Sequence, residues 1–323
     1  MGRRPVLARV VHVDFSFPLG HAACLDSRPR TMIRVFPRMT SATPTDSLAF
    51  VGSPGRNFPD GPVRISVTFS WDIPKALQLA NEWRRWYDDV RIGGPAFDDS
   101  GDQFHPGKFL RYGYTITTRG CPRQCPWCFV PKREGKLREL EIKPGWDVLD
   151  NNLLAASSAH LDSVFAMLRH QKRSIRFTGG LDARLLDDNA ILRLQTVPIE
   201  RVYVAYDEPA QRRMSLGAIE RLRNAGLTQR QVGCFVLIGY NGDTYDAAEA
   251  RCREVYEAGG ESFAMLYRDE TNSPRNQQWR ILQRTWCRPA ASKAEIRKSI
   301  MGSRGPHGRV EGAGNRRDNA TVD

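Results

Sequence analysis

Three cysteines fall within eight residues, Cys121, Cys125 and Cys128, in the run RGCPRQCPWCF. A loop this short brings three thiolates close together, and thiolate is the ligand taken both by iron–sulfur clusters and by structural zinc. Pro122 and Pro126 fix φ inside the loop and narrow the shapes it can adopt. A cube of four irons held by three cysteines keeps one iron without a protein ligand. Such an iron can bind a small molecule and pass it an electron. Zinc usually closes its shell with a fourth nearby ligand, and none is close: Cys234 is far downstream and His105 lies on an upstream loop.

The elements that must position this loop read as alternating strands and helices. YTIT precedes the cysteines, and five further apolar or β-branched runs follow at DVLDNNLL, SIRFT, RVYVAY, VGCFVLIG and SFAMLY. Taking Val148, Ile175, Val202, Cys234 and Phe263 as markers, the steps are 27, 27, 32 and 29 residues, close to one strand plus one helix each. Leu161, Val164, Phe165 and Leu168 predict a helix behind the capping residues Ser157 and Ser158. Ala218, Ile219 and Leu222 mark a second helix, and a third over about 246–258 ends at Gly259 and Gly260. The fold class expected is α/β, a partial (βα)6 TIM-type barrel over 108–290 with its ligands at the carboxyl ends of the strands. Ahead of it, VRISVTF, DIPKALQLANEWRRWY and DVRIGGPAF predict a small βαβ unit over 57–107. Its GGPAF ending lacks the glycine spacing of a dinucleotide fingerprint. Residues 1–56 read as irregular and partly disordered. Residues 291–323 read as a basic, disordered tail beginning with a short helix near 292–300.

Composition narrows the class. With 41% hydrophobic and 26% charged residues the chain is globular, and no apolar run is long enough to span a bilayer. Arg9, His12 and Asp14 interrupt the apolar stretch near the start, so a secretory signal is not expected and the cytoplasm is the expected location. Met32 is an alternative start. Seven cysteines, an odd number with three clustered, fit a metal site in a reducing compartment better than a disulfide framework. The net charge of +12 is concentrated in the ends: 8 basic against 3 acidic residues in 1–56, and 8 against 4 in 287–323. That leaves nucleic acid open as a substrate or partner and excludes little else.

Cys121, Cys125 and Cys128, with the aromatic Trp127 before the last cysteine, resemble the signature of the radical S-adenosylmethionine (radical SAM) superfamily. The resemblance covers roughly residues 108–290. It is nearest to phage and prophage radical SAM proteins related to the cobalamin-dependent and methylthiotransferase-like subgroup. No Asp-x-His-x-x-Gly run for cobalamin and no second cysteine triplet is present. The resemblance implies a 4Fe-4S cluster on the three cysteines and S-adenosyl-L-methionine on the open iron. It also implies reductive cleavage to a deoxyadenosyl radical that abstracts hydrogen from a substrate the sequence does not name, with electrons from an external flavodoxin- or ferredoxin-like donor. The rival reading is a zinc or iron–sulfur module that binds nucleic acid without turnover.

A cofactor pocket at the strand ends would draw on few residues. Asp150, Asn151 and Asn152 interrupt an apolar run, which burial penalises unless they meet a ligand or form a hydrogen-bonded turn. Gly179 and Gly180 permit close backbone approach, and Asp182 can accept from an ammonium; FTGGLDAR is similar to the family's Gly-Gly-Glu stretch, though Leu181 intervenes and the acid is Asp. Ile238 and Gly239 correspond to the strand end that contacts adenine in that family, and Trp127 joins them as a cofactor neighbour. Tyr206, Asp207, Tyr267, Arg268 and Asp269 end two other strands, where they could touch cofactor or substrate, and read first as surface ion pairs. Cys234, Cys252 and Cys287 read as small hydrophobes.

Overall fold

A computed structural model describes residues 32–55, 59–99, 103–268 and 276–303. In chain order the elements are β1 (Ile33–Phe36), β2 (Ala49–Val51), β3 (Val63–Ser66), α1 (Ile73–Trp83), β4 (Val90–Gly93), β5 (Tyr114–Thr115), β6 (Thr118–Arg119), α2 (Val130–Arg133), β7 (Arg138–Glu139), β8 (Asp147–Val148), α3 (Ser158–Arg169), β9 (Ile175–Phe177), α4 (Asp188–Gln195), β10 (Ile199–Ala205), α5 (Arg212–Asn224), β11 (Val232–Ile238), α6 (Tyr245–Glu257), β12 (Glu261–Leu266), α7 (Gln277–Trp286) and α8 (Pro289–Ser303).

The six runs that begin with YTIT form one parallel sheet, ordered β12-β11-β10-β9-β8-β5. Sequence neighbours are therefore spatial neighbours, as short right-sized crossovers dictate. The sheet is open, with β5 and β12 at its two edges. Alternation sorts its faces: Val202, Val204 and Tyr206 are buried, as are Val232, Cys234, Val236 and Ile238, in a core shared with α3 to α6. Tyr203, Phe235 and Phe263 point to the other face and pack on one another, Tyr203 stacked on Phe235 at 4.4 Å. The helices begin and end as their residues require. Ser157, Asp187 and Thr244 cap α3, α4 and α6 by accepting from backbone N–H groups three residues on.

A second parallel sheet, ordered β2-β1-β3-β4, corrects the reading of residues 1–56 as irregular. Ile33 to Phe36 is a fully buried interior strand, and β2 pairs beside it. Arg34 breaks the apolar run in sequence, but its guanidinium is satisfied inside, donating to the Gly107 and Lys108 carbonyls at 2.8 Å and pairing with Asp46. The expected β3–α1–β4 unit is present, with Trp83 buried against the sheet and its indole N–H on the Gly52 carbonyl at 3.1 Å. Residues 289–303 are helical, longer than the short helix expected in the tail. The remaining tail expectation over 304–323, the first 31 residues and Asp269 lie outside the described residues. Among the described residues no helix is long and apolar enough to cross a membrane.

Candidate metal centre

The cysteine loop is closed at its neck. β6 and β7, two residues each, pair antiparallel on either side of it, and Cys121 N–H donates to the Gly135 carbonyl at 3.1 Å. Gly120 has φ +78°, and a side chain there would meet the Lys136 carbonyl at 2.2 Å, so the neck can close only on glycine. Inside the loop Cys128 N–H donates to the Cys125 carbonyl at 3.0 Å. Pro122, Gln124 and Pro126 are exposed while the three cysteines around them are half-buried.

Burial pushes the thiols of Cys125 and Cys128 up. At Cys125 the neighbouring Arg184 guanidinium opposes this, favouring thiolate, while Asp207 and Cys121 add to it. At Cys128 a hydrogen bond from the Val130 backbone opposes it, and Cys125, Cys121 and Asp207 add to it. The three sulfurs thus lie within electrostatic reach of one another. Among the described residues no three Cys, His, Asp or Glu side chains are gathered tightly enough to form a preset metal site.

Several polar groups from the strand ends meet this loop. Asn151 Oδ1 accepts from Gly120 N–H at 3.0 Å. Asn152 Nδ2 donates to Cys121 Sγ at 3.4 Å and to Asp182 Oδ2 at 3.1 Å; its Oδ1 is buried without a partner among the described residues. Trp127 Nε1 donates to Asp207 Oδ2 at 3.2 Å, and its ring meets Tyr240 edge-on at 5.7 Å.

Other expected pocket residues are used differently. Asp150, 1% exposed, accepts from Thr117 N–H at 2.6 Å and from the Thr117 hydroxyl, so its carboxyl fixes the approach to the loop. Burial pushes its pKa up against those bonds. Asp182 is expected as an ammonium acceptor, yet its carboxylate is already occupied. It takes Arg123 Nε at 3.2 Å, Arg184 Nε at 2.6 Å and Arg184 Nη2 at 3.1 Å besides Asn152. Burial would raise its pKa, but the Arg184 and Asn152 hydrogen bonds outweigh that and hold it low. Gly179 serves close packing: a Cβ there would stand 2.3 Å from the Asp150 carbonyl. Gly180 lies over the Phe235 ring. The Ile238 side chain is wholly buried in the core and its carbonyl accepts from Tyr267 N–H, so only its backbone neighbour Gly239 remains near the mouth. Gly239 N–H donates to Asp243 Oδ2 at 2.9 Å, and Asp243 is gripped by Arg251 at 3.1 and 2.8 Å.

Sequence reasoning placed Asp207 and Tyr206 at the surface. Tyr206 is 1% exposed and donates to Glu254 at 2.9 Å. Burial, with Glu208 adding to it, pushes the Asp207 carboxyl up to about 6. Arg123 and Arg184 were missed as site residues; two arginines flanking the loop and the GGLD run were the available signal. Cys234 and Cys252 are buried as expected, and Cys287 is half-buried.

The chain matches no protein-family model, and no curated protein matches it in sequence.

Proposed function

We propose that the protein is a radical S-adenosylmethionine enzyme whose 4Fe-4S cluster is held by Cys121, Cys125 and Cys128 in a reducing, cytoplasmic setting. In this reading the six-stranded sheet is a partial (βα)6 barrel and the cysteine loop lies across its carboxyl mouth. The observation that carries it is the trio on one closed loop after the first strand of that sheet, met by Asn152, Asp182 and Arg184 from the next two strand ends. The donor set fits the group: three thiols on one short loop and beside them, among the described residues, the buried Asn152 Oδ1 without a partner, an acceptor for an amino group.

A cluster held by Cys121, Cys125 and Cys128 would supply the electron for reductive cleavage of S-adenosylmethionine. The chain's own residues prepare for this. Arg184 favours the ionised form of Cys125, which ligation requires. Asn152 donates to the sulfur of Cys121, a contact that tunes iron–sulfur potentials. Asp182 keeps Arg123, Arg184 and Asn152 in fixed positions. The half-buried aromatics Trp127, Tyr240 and Tyr267 limit water at the mouth.

The test is anaerobic reconstitution with iron and sulfide, chemical reduction, and assay for deoxyadenosine on adding S-adenosylmethionine. Product is expected, and replacement of all three cysteines by alanine should remove both the brown chromophore and the product. A fully loaded cluster with no deoxyadenosine overturns the reading, as does zinc in the native protein with salt-sensitive nucleic-acid binding.

A further inference from the structure

Each buried carboxylate around the loop but one has an evident local purpose. Asp150 holds Thr117, Asp182 holds two arginines, and Asp243 holds Arg251 and the Gly239 turn. Asp207 differs. Besides a backbone hydrogen bond from Leu237, its carboxylate accepts from the indole N–H of Trp127, and Trp127 stands between Cys125 and Cys128. Burying a carboxyl with neutral donors penalises the folded state, so its presence is poorly explained by stability alone.

The topology gives the contact its meaning. The cysteine loop grows from β5, at one edge of the open sheet, while Asp207 follows β10, three strands away in the sheet order. The indole also meets Tyr240, just after β11, and Tyr240 meets Tyr267, just after β12 at the other edge, at 4.8 Å and 71°. One residue of the loop is therefore tied to strand ends far across the sheet. The neck bonds at Gly120 and Cys121 fix only the loop's base.

We infer that Asp207 is a positioning residue for the metal-binding cysteines: by accepting from the Trp127 indole it latches the loop across the strand ends and sets where Cys125 and Cys128 stand relative to Cys121. The inference rests on the reading of these cysteines as ligands, but its test is readable without any metal.

In the full-length, reduced, metal-free protein with Cys24 and Cys287 changed to serine, the loop thiols are followed by their reaction with a chromogenic disulfide. Rates are taken from pH profiles and compared per thiolate, so changes in ionisation drop out. Asp207→Leu removes the acceptor, and Trp127→Phe keeps a ring but removes the donor. Each should speed modification by about tenfold, the opening expected when one charge-assisted hydrogen bond is lost. The double variant should be no faster than the faster single one, because both remove the same contact. Asp207→Asn keeps an acceptor oxygen and should stay within about twofold of the parent. Iron loss from reconstituted protein to a chelator should follow the same ranking.

Single variants that both stay within about twofold, or effects that multiply in the double variant, overturn the inference. If Asp207→Leu does not fold, as read by circular dichroism, Trp127→Phe and Asp207→Asn still decide the matter. Failure to form deoxyadenosine with these thiol kinetics intact would count against the enzyme reading and leave the latch standing.

Discussion

The two parallel sheets keep their polar groups in different places. In the four-stranded unit the core is mainly apolar, built from Ile33, Val35, Val63, Ile65, Leu79 and Trp83, and its ion pairs keep one side chain in solvent: buried Arg34 and Asp72 pair with the exposed Asp46 and Arg38, and Arg64 pairs with the exposed Asp89. In the six-stranded unit, buried polar residues crowd the carboxyl ends of the first two strands: Thr115, Thr117, Thr118, Asp150 and Asn152. Desolvating such groups opposes folding, so a fold driven by stability alone would place few of them there. The contrast locates function: the small sheet is held by packing, whereas the large one spends stability on fixing loops at one end.

The largest loss is expected at Arg251. Its guanidinium and Asp243 are 5% and 9% exposed, and it also donates to the Leu237 carbonyl at 2.9 Å. Arg251→Met leaves Asp243 buried and unpaired and should lower unfolding free energy by about 3–5 kcal/mol in urea titration. Adding Asp243→Leu should recover a large part. A loss below about 1 kcal/mol for the single change would show that the buried polar groups here are not structural ties.

A second test turns on sign. Asp207 is raised from 3.8 to about 6, by burial first and Glu208 next, against the Trp127 and Leu237 hydrogen bonds and the Arg251 charge. The folded protein therefore binds this proton more tightly than the unfolded chain. The stability tied to it is present below the unfolded value and is lost as pH rises through about 6. Asp207→Asn escapes that loss. It should be more stable than the parent at pH 8 by up to about 3 kcal/mol, an advantage that shrinks between about pH 6 and 4 and then disappears. Thermal melts across that range check it, and a destabilised Asn variant at pH 8 would mean the carboxylate is favourably housed after all.

These residues also mark how far the sequence could be read. The six strands of the large sheet were legible because they are apolar or β-branched runs at a repeating spacing, and α3, α5 and α6 between them carry clear apolar faces. β1 was not, since four residues containing Arg34 among prolines and serines give no period, and only the distant carbonyls of 107 and 108 make that arginine tolerable inside. The ribbon of β6 and β7 is too short to leave any pattern. At the site the cysteines, Trp127, Asn151 and Asn152 were named from type and spacing. Asp207 was noted as a strand end but read first as a surface charge, and Arg184 was not named, because their partners are 80 and 59 residues away and nothing local distinguishes them from surface charges.

The smallest effect expected is at the surface of the small sheet, and it sharpens the comparison from the other side. Arg64 makes a two-pronged contact with Asp89, both N–O distances 3.0 Å, and holds that carboxyl below its usual range. The geometry is good, yet the carboxylate side chain is 48% exposed, so water and salt compete for it. Arg64→Ala should therefore change unfolding free energy by about 0.2–1 kcal/mol, and about 1 M sodium chloride should remove most of the difference. The Arg251→Met deficit should persist at the same salt concentration, because screening acts weakly on buried charges. A loss above about 2 kcal/mol for Arg64→Ala, insensitive to salt, would mean that the small sheet too relies on polar ties, and buried polarity would no longer single out the cysteine loop.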